Sequence, residues 1–203
     1  MLVAIVGPMF AGKTTELIRR VERQIIAGRS AAIFKPSIDS RYDALSVAAH
    51  NGLRLRAVAV PPDESGVREI AEEGAKYDVV AVDEVQFFPP SLAEALDGLA
   101  DDRLVIAAGL NLDYRGEPFE TTMRVAAYAD KVVSLTAVCK ICGRPATRTQ
   151  RLIGGRPAPA DGPRILVGGG ETYEARCRRH HVVPGLREGA GAPRRIGGRR
   201  AVG

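Results

Sequence analysis

Eight residues, Gly7, Pro8, Met9, Phe10, Ala11, Gly12, Lys13 and Thr14, constrain this chain more than any others because they fit the pattern G-x-x-x-x-G-K-[ST]. They follow an unbroken apolar run, residues 2–6, and precede Leu17, Ile18, Val21 and Ile25, which recur at helical spacing up to a capping glycine, Gly28. A strand that is apolar throughout belongs in the middle of a parallel sheet covered on both faces. In that setting the glycines let backbone N–H groups curl toward phosphate oxygens, and the helix N-terminus adds the positive end of its dipole. Lys13 then reaches the β- and γ-phosphates of ATP, and the Thr14 hydroxyl ligates Mg²⁺. The segment predicts an ATP-phosphate cradle.

Short apolar runs at 31–34, 79–82, 104–108 and 132–135 repeat the pattern of the first strand. Helices are predicted between them, near 66–73, 90–99 and 122–129. Strands alternating with helices imply a parallel sheet with helices on both faces, an α/β fold. The run at 79–82 ends in Asp83-Glu84. An acid at the carboxyl end of a buried strand beside a P-loop is placed to hold Mg²⁺, which assigns Asp83 to the metal. Glu84 is then placed to take a proton from an attacking hydroxyl or water, since open parallel sheets keep their chemistry beyond the strand ends.

The composition changes after Leu135. All three cysteines fall in the next 46 residues, as Cys139-x-x-Cys142 and Cys177-x-x-His180, around a Gly/Pro-rich stretch at 154–170 flanked by Arg151-Leu152-Ile153 and Arg164-Ile165-Leu166-Val167. Two such pairs make a Cys₃His set suited to structural zinc, with His181 as an alternative to His180 and a redox pair of the first two cysteines as the rival reading. The metal would tie down a long loop or loose hairpin with little core of its own.

The net charge of +5 is concentrated at the end of the chain, where five arginines against Glu188 give residues 182–203 a charge of +4. That Gly/Pro/Arg-rich tail lacks the apolar surface to order itself and reads as a solubilising end, with an arm for an anionic partner as the alternative. The rest is nearly neutral, which weighs against an ATP-driven nucleic-acid-binding protein. No apolar run is long enough to span a bilayer and the first residues do not read as a secretory signal, so a cytoplasmic location is expected.

The P-loop, Asp39-Ser40-Arg41-Tyr42, Asp83-Glu84-Val85-Gln86-Phe87-Phe88, LNLDYRGEPF at 110–119, Leu135 to Cys139 and the Cys177/His180 pair occur in an order that resembles the cytosolic, zinc-containing (type II) thymidine kinases, collinear from Met1 to about His181. The resemblance implies a RecA-like P-loop domain over 1–135, a zinc-binding lasso unit over 136–181 and a tail over 182–203. It implies that Glu84 is the base that deprotonates the 5′-hydroxyl of thymidine, with Arg41 stabilising charge at the γ-phosphate and Asp39 close by. Met9, Phe87, Leu110, Tyr114 and Phe119 would wall the base. Thr149 and Tyr173 would make polar contacts, and Val167, Gly168 and Gly169 would offer backbone groups. A homotetramer and inhibition by dTTP are further implications. Val85 departs from the family's usual small residue and is expected to narrow the site, and Glu120 stands where glycine is frequent, so a different local turn is expected there.

Overall fold

The computed structural model describes residues 1–38, 47–48, 54–55, 57–164 and 171–186. Asp39, Arg41, Val167, Gly168 and Gly169 lie outside the described residues, as does the chain from 187 onward.

The chain runs β1 (Leu2–Gly7), α1 (Lys13–Ile26), β2 (Ala31–Pro36), a short antiparallel pair β3 (Val47–Ala48) and β4 (Arg54–Leu55), β5 (Ala57–Val60), α2 (Glu64–Gly74) and β6 (Val79–Val82). A 3₁₀ turn (Val85–Phe87), α3 (Leu92–Ala100), β7 (Leu104–Leu110), α4 (Glu120–Tyr128) and β8 (Lys131–Ser134) complete the first unit. Its sheet has the order β5-β2-β6-β7-β1-β8, with every pairing parallel. The strand carrying the P-loop is therefore separated by one strand, β7, from the strand that carries the acid pair. This is the predicted α/β fold, with the P-loop strand next to the edge strand β8 and paired on both sides.

Alternation along the strands explains the two cores. Leu2, Ala4 and Val6 of β1 face a cluster with Phe34, Val82, Leu92 and Leu96, whereas Val3 and Ile5 face Leu17, Ile18 and Val21 of α1. Every β1 residue is buried, as a central parallel strand requires. Two ends are fixed by local chemistry. The Asp63 carboxylate caps α2 by accepting from Ser65 N at 2.8 Å and Gly66 N at 3.2 Å, and Gly28 takes φ +81° just past α1.

Four points of the sequence reading are amended. The edge strand β5 was not predicted, because four alternating residues, Ala57 to Val60, with only the two end ones buried give too short an apolar signal. The run at 132–135 forms an edge strand, β8, which leaves Val132 49% exposed. Val85 does not narrow the site: it is buried in the core with Phe88 and Leu92. Glu120 simply opens α4 behind Phe119, with no positive backbone φ at either residue.

Gly109 of β7 is what admits Val85. A Cβ there would lie 2.6 Å from Val85 Cγ2, 2.9 Å from Thr122 Oγ1 and 3.0 Å from Gln86 Oε1. Gly109→Ala is therefore expected to cost about 1–3 kcal/mol through overpacking. A denaturation midpoint equal to that of the unchanged protein would disprove this close fit.

The second unit contains β9 (Ala137–Val138), β10 (Pro145–Ala146), β11 (Arg148–Ile153), β12 (Arg156–Pro157) and β13 (Glu171–Arg176). β9 pairs with β10, and β11 pairs with both β12 and β13, all antiparallel. The expected hairpin forms at Gly154-Gly155, whose φ values of +55° and +76° suit a two-residue turn. Along its length β11 also pairs with β13. Residues 182–184 are also pinned to this unit. Gln150, fully buried, exchanges two hydrogen bonds with the backbone of Val182, and Ala160 N donates to Pro184 O. The tail as read from 182 thus begins with several anchored residues.

Candidate active site

The loop between β1 and α1 closes on the acid strand. Thr14 Oγ1 donates to Asp83 Oδ2 at 2.7 Å, and Lys13, 8% exposed, folds back to donate to Pro8 O at 2.8 Å. Gly12 takes φ +80°, where a side chain would be strained, so the chain turns here from loop into helix. Phe10 also has positive φ and is largely exposed. Burial, then the adjacent Glu84 charge, pushes the Asp83 carboxyl up to about 7, against the Thr14 hydroxyl, the Glu84 N–H and the Lys13 charge. Two oxygens so placed, one on a carboxylate short of positive charge, fit a hard divalent cation such as Mg²⁺.

Glu84 follows at φ 53° and ψ 43°, a left-handed conformation that a non-glycine residue rarely takes. Its N–H donates to Asp83 Oδ1 at 2.9 Å, and its Oε2 accepts from Gln86 Nε2. Strained backbone at the carboxyl end of a sheet strand marks the place where this chain concentrates polar groups.

The second unit meets the P-loop directly. Met9 N donates to Thr149 Oγ1 at 3.0 Å, and Ala11 packs on the cluster of Ala137, Cys139, Ala146, Ala175 and Cys177. Of the residues expected around a pyrimidine, Met9, Phe87, Leu110 and Tyr173 are half-buried, whereas Tyr114, Phe119 and Thr149 are buried. Tyr114 also has a structural duty. Its hydroxyl bonds the carbonyls of Pro159 and Gly162 at 3.0 and 3.2 Å, and the Arg151 guanidinium lies 5.0 Å from its ring centroid.

Several of these partners were not read from the sequence. Arg151 is 1% exposed and donates to Pro163 O at 2.6 Å. Arg164 stacks 4.6 Å from the Phe119 centroid, bonds Pro118 O, and reaches Asp113 Oδ2 at 3.1 Å. Asp113, buried, also accepts from the backbone N–H groups of Arg115 and Glu117, both at 2.9 Å. The Asp113-x-x-Gly116 spacing is an Asx-turn signal that could have been used, but nothing local marks Arg151 or Arg164 as anchors.

Cys139, Cys142, Cys177 and His180 bring their ligand atoms within 4.8 Å of one another. The closest approaches are 3.8 Å between the Cys142 and Cys177 sulfurs, and 3.7 and 3.3 Å from His180 Nδ1 to Cys139 and Cys177. A tetrahedral Zn²⁺ at ordinary bond lengths needs S···S and S···N edges of about 3.8 and 3.6 Å. The set fits zinc and is too open for a disulfide. Burial alone would raise the Cys139 thiol, but N–H groups of Cys177, Ile141 and Cys142, together with His180, outweigh it and hold the thiol at about 5. The Arg144 side chain lowers Cys142 as well, so Cys139 and Cys142 are biased toward the thiolates that zinc requires. His181 instead directs Nε2 to Tyr114 O at 2.8 Å, which makes His180 the fourth member.

A parallel sheet of this order, with a P-loop bonded to an acid pair at the end of a strand one removed from its own, defines a P-loop nucleotide-binding protein. Comparison with known proteins narrows that class. The thymidine kinase family model matches residues 1–181, and the chain belongs to that family. It is similar to the thymidine kinase of Pyrobaculum aerophilum, at 71% identity over 91% of this chain and all of that protein. The thymidine kinase of Thermococcus kodakarensis is 61% identical over 90% of this chain and 94% of its own length, and that of Deinococcus radiodurans is 50% identical over 91% of each. Among solved structures, the chain is similar to the flagellar accessory protein FlaH from Methanocaldococcus jannaschii, at 13% identity and a TM-score of 0.46, covering 71% of this chain and 74% of that one.

Proposed function

We infer that this chain is an ATP-dependent thymidine kinase, transferring the γ-phosphate of ATP to the 5′-hydroxyl of thymidine to give dTMP and ADP. The observation that carries the reading is the Thr14–Asp83 hydrogen bond, which joins the phosphate loop to the acid pair and sets Glu84 one residue further on. The family membership supplies the nucleoside.

In this mechanism the P-loop N–H groups and Lys13 grip the phosphates. Thr14 and Asp83 would hold Mg²⁺, which would neutralise charge on the β- and γ-phosphates. Glu84 accepts the 5′-hydroxyl proton as the oxygen bonds to the γ-phosphorus and the bond to the β–γ bridging oxygen breaks. Arg41 and Asp39 act at the transferring phosphoryl group. Met9, Phe87, Leu110, Tyr114 and Phe119 wall the base, Thr149 and Tyr173 add polar contacts, and the backbone at Val167, Gly168 and Gly169 meets the base edge. Zinc in the Cys₃His set is structural, since four protein ligands leave no open position.

The domain boundaries we propose are 1–135 for the ATP-binding unit and 136–181 for the zinc and lasso unit, with the anchored residues 182–184 beyond it. A homotetramer, a cytoplasmic location, a role in DNA-precursor salvage and inhibition by dTTP complete the proposal. Among the described residues no helix is long and apolar enough to cross a membrane.

The test is phosphoryl transfer from ATP-Mg to a panel of nucleosides. Thymidine should be preferred. Deoxyuridine, lacking one methyl, should trail by about 1–3 kcal/mol in kcat/KM. Preference for a purine nucleoside, or turnover with none, would refute the assignment.

A further inference from the structure

Gln86 sits in the 3₁₀ turn directly after the acid pair and is 7% exposed. Both ends of its amide are engaged. Its Oε1 accepts the backbone N–H of Leu110, at the end of β7, at 3.0 Å, and its Nε2 donates to Glu84 Oε2. The first bond fixes the second, because a backbone N–H must face the carbonyl oxygen and the NH₂ end is thereby aimed at Glu84. The turn itself is held independently. Phe87 N and Phe88 N donate to Glu84 O and Val85 O, both at 3.1 Å, and Thr121 Oγ1 bonds Phe88 O at 2.7 Å.

We propose that Gln86 is a positioning residue for the phosphoryl transfer: it holds the Glu84 carboxylate in its productive rotamer by spanning from β7 to the base. This rests on the reading of Glu84 as the base. A glutamate side chain has three rotatable bonds, and the left-handed backbone at Glu84 fixes only where they begin. Asparagine at 86 is one carbon too short to span the same gap, and glutamate keeps an acceptor for Leu110 while turning the contact with Glu84 from attraction to repulsion. Gly109 leaves room for the amide beside β7, since a Cβ there would sit 3.0 Å from Gln86 Oε1.

The test is a double-mutant cycle on the full chain with ATP-Mg and thymidine, using Q86M, Q86E and E84Q alone and in pairs. Q86M and Q86E should each lower kcat on the order of 10²-fold, as expected for a misaimed reacting group, while both KM values stay within about twofold. In the E84Q background either change should cost less than about twofold further, since the carboxylate to be aimed is gone. Losses that multiply, or a raised KM at unchanged kcat, would overturn the proposal. E84Q turning over at the unchanged protein's rate would instead overturn the base assignment beneath it. If Q86M fails to fold because Leu110 N–H loses its acceptor, the Q86E cycle decides, because that variant keeps the acceptor.

Discussion

Glu84→Gln is expected to bind ATP-Mg about as tightly as the unchanged protein and to lose turnover by on the order of 10²–10⁴-fold, the range for removing a general base. The shape of the side chain is kept, and so is its ability to accept from Gln86 Nε2, so the turn after β6 should hold. What disappears is the one carboxylate next to the metal acid whose oxygens are not bonded to Thr14. Nucleotide affinity should not fall, because Glu84 is among the groups that push the Asp83 carboxyl up and its neutral replacement relieves that repulsion. Calorimetric titration of ATP-Mg together with thymidine-dependent ADP release separates the two effects. Turnover within tenfold of the unchanged enzyme would remove Glu84 from the proton-transfer step.

Loss of the metal is expected to have the second large effect. The apolar cluster of the second unit consists of Ala137, Ala146 and Ala175 with two of the cysteines. Each alanine methyl contributes only about 0.8 kcal/mol on burial. Structural zinc contributes apparent binding energies of about 10–16 kcal/mol in small zinc domains. The metal therefore outweighs the core it sits in. Cys177→Ser, or exhaustive chelation, should unfold the unit from β9 to His180 and abolish thymidine phosphorylation, while β1, β6 and β7 keep the parallel sheet. Near one zinc per chain is expected by elemental analysis. A metal-free protein that melts and turns over unchanged would refute the structural role.

Much of this was legible from local pattern. The P-loop, and the strand Val79–Val82 with its acid pair, are each written in neighbouring residues, and their meeting across 69 residues, from Thr14 to Asp83, followed from the joint presence of the two motifs. The zinc set was legible for a related reason: Cys-x-x-Cys and Cys-x-x-His each bring two ligands together within one turn of chain. Legibility failed where the partner is distant. Arg164 finds Asp113 across 51 residues, and Gln86 finds Leu110 N–H across 24. A buried arginine such as Arg151 has no signature at all, since arginines usually lie at the surface, and contacts such as those to the Pro163 carbonyl and the Tyr114 ring, which help make its burial tolerable, come from distant residues. Tyr114 shows how both kinds of evidence combine: family resemblance placed it at the nucleoside, and the hydrogen bonds of its hydroxyl show that it also fastens the segment from Pro159 to Gly162.

Ala11 packs against the zinc unit and Met9 N–H is already given to Thr149, so one side of the phosphate loop is also a wall of the metal domain. Two ligands that share a wall are thermodynamically linked. Whatever factor zinc adds to the affinity for ATP, ATP must add to the retention of zinc. If that factor favours both, the enzyme should hold its metal most tightly when nucleotide is abundant, so that the supply of its phosphate donor also sets how fully the metal site stays occupied.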